Sequence, residues 1–73
     1  GRVAVLPRWR RKGVAGLMLD TLEAEALQRG FAEVSLHSQV YISSLYEQRG
    51  YWVTGPCFVE AGIDHVPMAK KLT

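Results

Sequence analysis

Arg10-Arg11-Lys12-Gly13-Val14-Ala15-Gly16 sets three consecutive cations directly in front of a run of small residues. Ahead of it, Arg2-Val3-Ala4-Val5-Leu6 is short and Val-rich and is stopped by Pro7, which reads as a buried strand ended by a residue that cannot donate to a ladder. Behind it the period becomes helical. From Lys12 to Arg29 the apolar residues Ala15, Met18, Leu19, Leu22 and Ala26 form one stripe, Asp20, Glu23, Glu25 and Gln28 lie mostly elsewhere, and Gly30 supplies a C-cap. The segment therefore sits where a strand's exit loop becomes a helix. The first turn of a helix has backbone N–H groups without internal partners, and the aligned peptide dipoles place about half a positive charge there. Phosphate oxygens satisfy both. Gly13, Ala15 and Gly16 let a pyrophosphate approach the backbone closely, while Arg10, Arg11 and Lys12 neutralise it at the rim. As a bare pattern, the same glycine-rich helix start also serves nucleotide-binding loops and simple close packing. Neither Gly-Lys-Ser nor Gly-Lys-Thr is present and the Gly-x-Gly-x-x-Gly spacing is incomplete, which argues against ATP and NAD.

Working outward, Val34 and Leu36 alternate with Ser35 and His37, so a second strand is expected over Glu33 to His37. Strand, helix and strand make a crossover unit whose ligand site lies at the strands' carboxyl ends, Pro7 to Lys12 and Ser38 to Tyr41. Ile42, Leu45 and Tyr46 predict a short helix over Tyr41 to Arg49, closed by Gly50. Tyr51-Trp52-Val53 and Cys57-Phe58-Val59 are strand-like around Gly55-Pro56, a bulge or kink. Ala61-Gly62-Ile63-Asp64 then turns into a last strand, His65 to Leu72, closing a hairpin. The fold class is α/β, in the order strand-helix-strand-helix-strand-strand.

The bulk properties bound the function. The 73 residues make at most one small domain, and 48% hydrophobic residues suit a folded rather than a disordered chain. The chain enters its first strand at once after Gly1, and we read it as part of a longer domain whose first half is absent. The net charge is only +2, yet Arg8, Arg10, Arg11 and Lys12 fall together, which favours a local anion site over a general nucleic-acid surface. Cys57, the single cysteine, cannot form an internal disulfide, and a cytoplasmic location is the expectation. No apolar run approaches the roughly 20 residues that span a bilayer, so no membrane partner is expected.

The residues now on the page resemble the GNAT N-acetyltransferases, whose signature is Arg or Gln, two residues, Gly, one residue, then Gly or Ala. Here it reads Arg10-Arg11-Lys12-Gly13-Val14-Ala15. Val3-Ala4-Val5-Leu6-Pro7-Arg8-Trp9 looks like the family's strand and Pro-containing loop, and Leu45-Tyr46-Glu47-Gln48-Arg49-Gly50-Tyr51 looks like its later Leu-Tyr-x-x-x-Gly-Phe segment. The stretch Phe58 to Met68 is similar to the ElaA-type bacterial subgroup. The resemblance covers essentially the whole chain as the C-terminal part of an acyl-CoA N-acyltransferase fold, with its strands in a mixed sheet.

The resemblance implies direct transfer of an acetyl group from acetyl-CoA, the co-substrate, to an acceptor amine of unspecified class. Val3, Ala4 and Val5 would offer backbone groups to the pantetheine arm, with the Val5 N–H polarising the thioester carbonyl. Arg10, Arg11, Lys12, Gly13, Val14, Ala15 and Gly16 would cradle the pyrophosphate. Tyr46 matches the family's tyrosine that protonates the departing thiolate; an ordinary tyrosine is a weaker acid than a thiol, so the site must favour that transfer. Gln39 stands where many relatives carry an Asn that bonds the cofactor, a departure that keeps the amide. Tyr51 replaces the commoner Phe. His37 and His65 could serve as a general base, but both fall on predicted strands with apolar neighbours, where a structural histidine is expected. Cys57 reads as packing, as do Trp9 and Trp52. No metal site is expected, a homodimer is left open, and two rivals stand beside the enzyme: a non-catalytic acyl-CoA-binding module and a nucleic-acid-binding fragment.

Overall fold

Residues 2–6 and 16–73 are described by the computed structural model. The predicted loop from Pro7, Trp9 and the cradle residues Arg10, Arg11, Lys12, Gly13, Val14 and Ala15 lie outside them.

The β-branched run near the start forms β1, Arg2–Val5. It pairs in parallel with β2, Phe31–Gln39, in the register Val3↔Glu33, Ala4↔Val34 and Val5↔Ser35. The connection is α1, Gly16–Gln28, which ends at Gly30 with φ +89°, the left-handed conformation a helix C-cap requires. β2 extends beyond the expected Glu33 to His37, at its start through Arg2↔Phe31 of β1 and at its end through pairing with the last strand. Its other neighbour is the antiparallel β5, Ile63–Lys71, from Glu33↔Lys71 to Gln39↔His65.

The helix expected over Tyr41 to Arg49 is split. Val40–Ile42 make a 3-10 turn, Ile42 leaves helical geometry at φ −117° and ψ 7°, and α2 covers Ser43–Glu47. At the junction Val40 O accepts both the backbone N–H of Ser43 and its hydroxyl, the latter at 2.9 Å, so the carbonyl is engaged within the 3-10 turn. The end of α2 is a Schellman motif. Tyr51 N donates to Tyr46 O and Gly50 N to Glu47 O, both at 3.1 Å, around Gly50 at φ +96°. The hydrophobic contact that accompanies such a motif is the edge-to-face pair Tyr46–Tyr51, with ring centroids 5.7 Å apart.

The tail is a hairpin with an interrupted edge. β3, Trp52–Val53, and β4, Phe58–Glu60, both pair antiparallel to β5, through Val53↔Met68 and Phe58↔His65. Four residues of the edge chain therefore face two of β5 between those rungs. The bulge falls opposite Pro67, whose carbonyl accepts from Thr54 N at 2.9 Å. In an antiparallel ladder a residue's N and O face the same neighbour, so the donor that proline lacks would also have faced this edge. Gly55 crosses there; a Cβ on it would stand 3.1 Å from Pro67 Cγ. The turn into β5 is Ala61-Gly62 with φ +53° and +76°, both positive as a two-residue type I′ hairpin demands.

The sheet order is β1-β2-β5-β3, with β4 also on β5, a mixed sheet as expected. The core on the α1 side gathers Leu6, Leu19, Ala26, Val34, Leu36, Tyr46, Tyr51 and Met68. Strand alternation sends Val3 and Val5 to the opposite face, where they are 47% and 77% exposed. One expectation about α1 is corrected: Met18 is 46% exposed, whereas Glu23 is 8% exposed and lies on the inward stripe with Leu19, Leu22 and Ala26. The partners that make a buried glutamate tolerable come from elements far along the chain.

Candidate functional site

Among the described residues β1 and β2 are linked as far as Leu6 N to Ser35 O at 2.8 Å, and β2 continues through Leu36, His37, Ser38 and Gln39. Parallel strands joined by a helix place a ligand at such carboxyl ends. Gly16 is the first residue of α1, Val3, Ala4 and Val5 form β1, Gln39 is buried at the end of β2 opposite His65, and Tyr46 is buried on α2. Tyr46 shares its apolar cluster with Leu6 and Leu36. Of the described members, Tyr46 lies in the core on the α1 side, whereas Val3, Val5 and Gln39 lie on the opposite face of the sheet.

Two polar clusters fix α1 and α2. Arg49, at the end of α2, donates through Nη2 to Gly16 O at 3.2 Å and to the Asp20 carboxylate. A Cβ at Gly16 would stand 2.8 Å from Arg49 Nη1, so glycine is what lets the guanidinium lie over the start of the helix. The bond to Asp20 raises the Arg49 pKa further above an already basic value. The second cluster is centred on Glu23, which accepts from Tyr51 Oη at 2.7 Å and from Lys70 Nζ at 2.8 Å. Burial, and then the bond to Glu23, push the Tyr51 phenol far above the usual tyrosine range. Tyr51 in place of Phe is therefore more than packing.

Sequence reasoning missed Arg49, Glu23 and Lys70 as supports of the site. For Glu23 a signal existed, since positions 19, 22, 23 and 26 complete one helical face. Nothing local in the sequence paired Arg49 with Asp20.

The two histidines differ. His65 is 2% exposed, with Nδ1 2.7 Å from Ile63 O and its ring stacked on Phe58, the structural role expected of it. His37 is instead half-exposed and paired with Glu60. Cys57, expected in packing, is exposed on the bulged edge, where the chain has left the ladder. Among the described residues no cluster of His, Cys, Asp and Glu could hold a metal ion, and no helix is long and apolar enough to cross a membrane.

The described residues thus form a mixed sheet with a parallel β-α-β unit and a tyrosine on the following helix. A family profile described as the acetyltransferase (GNAT) domain matches residues 1–72, and the chain belongs to that family. Two proteins of Bacillus subtilis (strain 168) are similar to it. The uncharacterized protein YyaT is 29% identical over 72 residues, 99% of this chain and 49% of its own length. The uncharacterized N-acetyltransferase YjcF is 34% identical over 70 residues, 94% of this chain and 50% of its own. The crystal structure of a protein assigned as an N-acetyltransferase from Lactobacillus plantarum superposes with TM-score 0.77 and 34% identity, over 89% of this chain and 44% of that one. The chain spans about half the length of the curated relatives it matches.

Proposed function

We propose that this chain is the cofactor-binding part of an N-acetyltransferase that moves an acetyl group from acetyl-CoA directly to an acceptor amine. The observation that carries the reading is the parallel β1-α1-β2 unit, with Tyr46 of α2 packed in the same core cluster as Leu6 and Leu36.

On this reading Arg10, Arg11, Lys12, Gly13, Val14, Ala15 and Gly16 hold the pyrophosphate, and Val3, Ala4 and Val5 hold the pantetheine arm through their main chain. The Val5 N–H polarises the thioester carbonyl as the amine adds. Tyr46 donates a proton to the thiolate as the C–S bond breaks. Its Schellman motif and its contact with Tyr51 hold the ring in one orientation, which supports a positioned acid. Gln39 is a polar contact for the acyl arm.

Calorimetric titration of the complete gene product with acetyl-CoA tests the proposal. Binding is expected, together with its loss in Gly13→Glu, which puts a carboxylate where the phosphates belong. Tyr46→Phe is expected to lower kcat by about 10²-fold while leaving affinity near wild type. A folded protein that does not bind acetyl-CoA ends the proposal; binding without turnover leaves an acyl-CoA-binding module.

A further inference from the structure

On the sheet face turned away from α1, β2 carries His37 two residues beyond Ser35, the partner of Val5, and β4 brings Glu60 to it. His37 Nδ1 and Glu60 Oε1 are 3.0 Å apart. An ionised carboxylate only accepts hydrogen bonds, so Nδ1 carries the proton and, in the neutral ring, Nε2 carries the lone pair. Phe58 lies edge-on against the imidazole with centroids 4.9 Å apart, and is itself backed by the buried ring of His65 at 5.9 Å. The ring is thus held from two sides while the side chain stays 52% exposed. A histidine that only supports the fold has no need of this arrangement, and His65, two residues of sheet away, illustrates the contrast.

We infer, resting on the acetyltransferase reading, that His37 is the general base for the acceptor amine and that Glu60 is its positioning residue. The acceptor enters as a primary ammonium on the face opposite α1, drawn also by the Glu60 carboxylate. Nε2 of His37 removes one proton from the ammonium, giving an imidazolium that Glu60 stabilises. The freed nitrogen lone pair forms the C–N bond at the thioester carbonyl, and the C–S electron pair leaves with sulfur. The second amine proton balances the proton that Tyr46 gives to the thiolate, and the imidazolium returns its own to water. Among the described residues the titratable groups facing His37 are Glu60 from β4 and, behind Phe58, His65 from β5; its partner on β5, Pro67, carries none.

The test uses the complete gene product, acetyl-CoA, and three amine probes: free lysine, spermidine and a lysine-containing peptide. Calorimetry gives acetyl-CoA affinity and thiol release gives turnover as a function of pH. Wild-type kcat/KM is expected to fall as pH is lowered, because a protonated base cannot accept the amine's proton. His37→Gln is expected to lower kcat/KM by about 10²–10⁴-fold and to abolish that acidic limb, with acetyl-CoA affinity kept within about twofold. Glu60→Gln is expected to cost about tenfold and keep the limb. His37→Ala should regain turnover with added imidazole, a response that a purely structural histidine would not give. Retention of the wild-type rate and pH profile in His37→Gln overturns the inference while acetyltransferase activity stands. Acetyl-CoA binding without thiol release from any probe also overturns it, and failure to bind acetyl-CoA removes the parent reading first.

Discussion

Tyr51→Phe is the sharpest probe of how the site is held together. The substitution keeps the ring that packs edge-on against Tyr46 and removes only the hydroxyl that donates to Glu23 Oε2 at 2.7 Å. Glu23 is 8% exposed, so water cannot readily replace the lost donor, and Lys70 Nζ at 2.8 Å from the other oxygen becomes its main support among the described residues. A hydrogen bond to a charged acceptor contributes about 1.5–3 kcal/mol, so the unfolding equilibrium should move by roughly 10- to 150-fold toward the unfolded state. Urea denaturation of the complete gene product reads this as a lower midpoint at unchanged slope. Lys70→Met attacks the other side of the same carboxylate, and the double variant should depart from additivity by at least about 0.5 kcal/mol. A loss below about 0.5 kcal/mol in Tyr51→Phe, or strict additivity, would refute the picture of one buried carboxylate shared by two donors.

Further outcomes follow from single features of the fold. Because the fold raises the Tyr51 pKa, its neutral form is kept in the native state while the unfolded chain ionises near pH 10; the contribution is intact below that pH and falls by about 1.4 kcal/mol per unit above it. Stability measured against pH should therefore decline less steeply above about pH 10 in Tyr51→Phe than in wild type. Ala61 holds φ +53° at the first turn position, where asparagine is better tolerated, so Ala61→Asn should stabilise by about 0.5–1 kcal/mol in a denaturant midpoint. Gly50→Ala meets φ +96° and the Lys70 side chain 3.4 Å away; it should cost about 1–2 kcal/mol and, by tilting the Schellman turn, lower turnover along with stability.

The elements were legible because their signals are local. Val3 to Leu6 with Pro7, the apolar period of α1 closed by Gly30, and Ala61-Gly62 at a hairpin tip each state their conformation within a few residues. The resemblance in turn is what proposes roles for Tyr46 and the cradle positions. The splitting of the Tyr41–Arg49 helix was illegible because it turns on one carbonyl, Val40 O, taken by the N–H and hydroxyl of Ser43.

What the sequence by itself determined, then, was the order of elements, their turns and the family: periodicity, β-branching and glycine placement act through the backbone of neighbouring residues. Only the tertiary structure decided the charge pairing. Tyr51 lies 28 residues from Glu23, Lys70 lies 47 from it, and His37 lies 23 from Glu60. Which carboxylate is buried, and which histidine is left accessible with a partner, depends on the register Leu36↔Met68 and Phe58↔His65. Because side chains alternate between faces, a shift of one residue in either ladder would put His37 and Glu60 on opposite faces of the sheet.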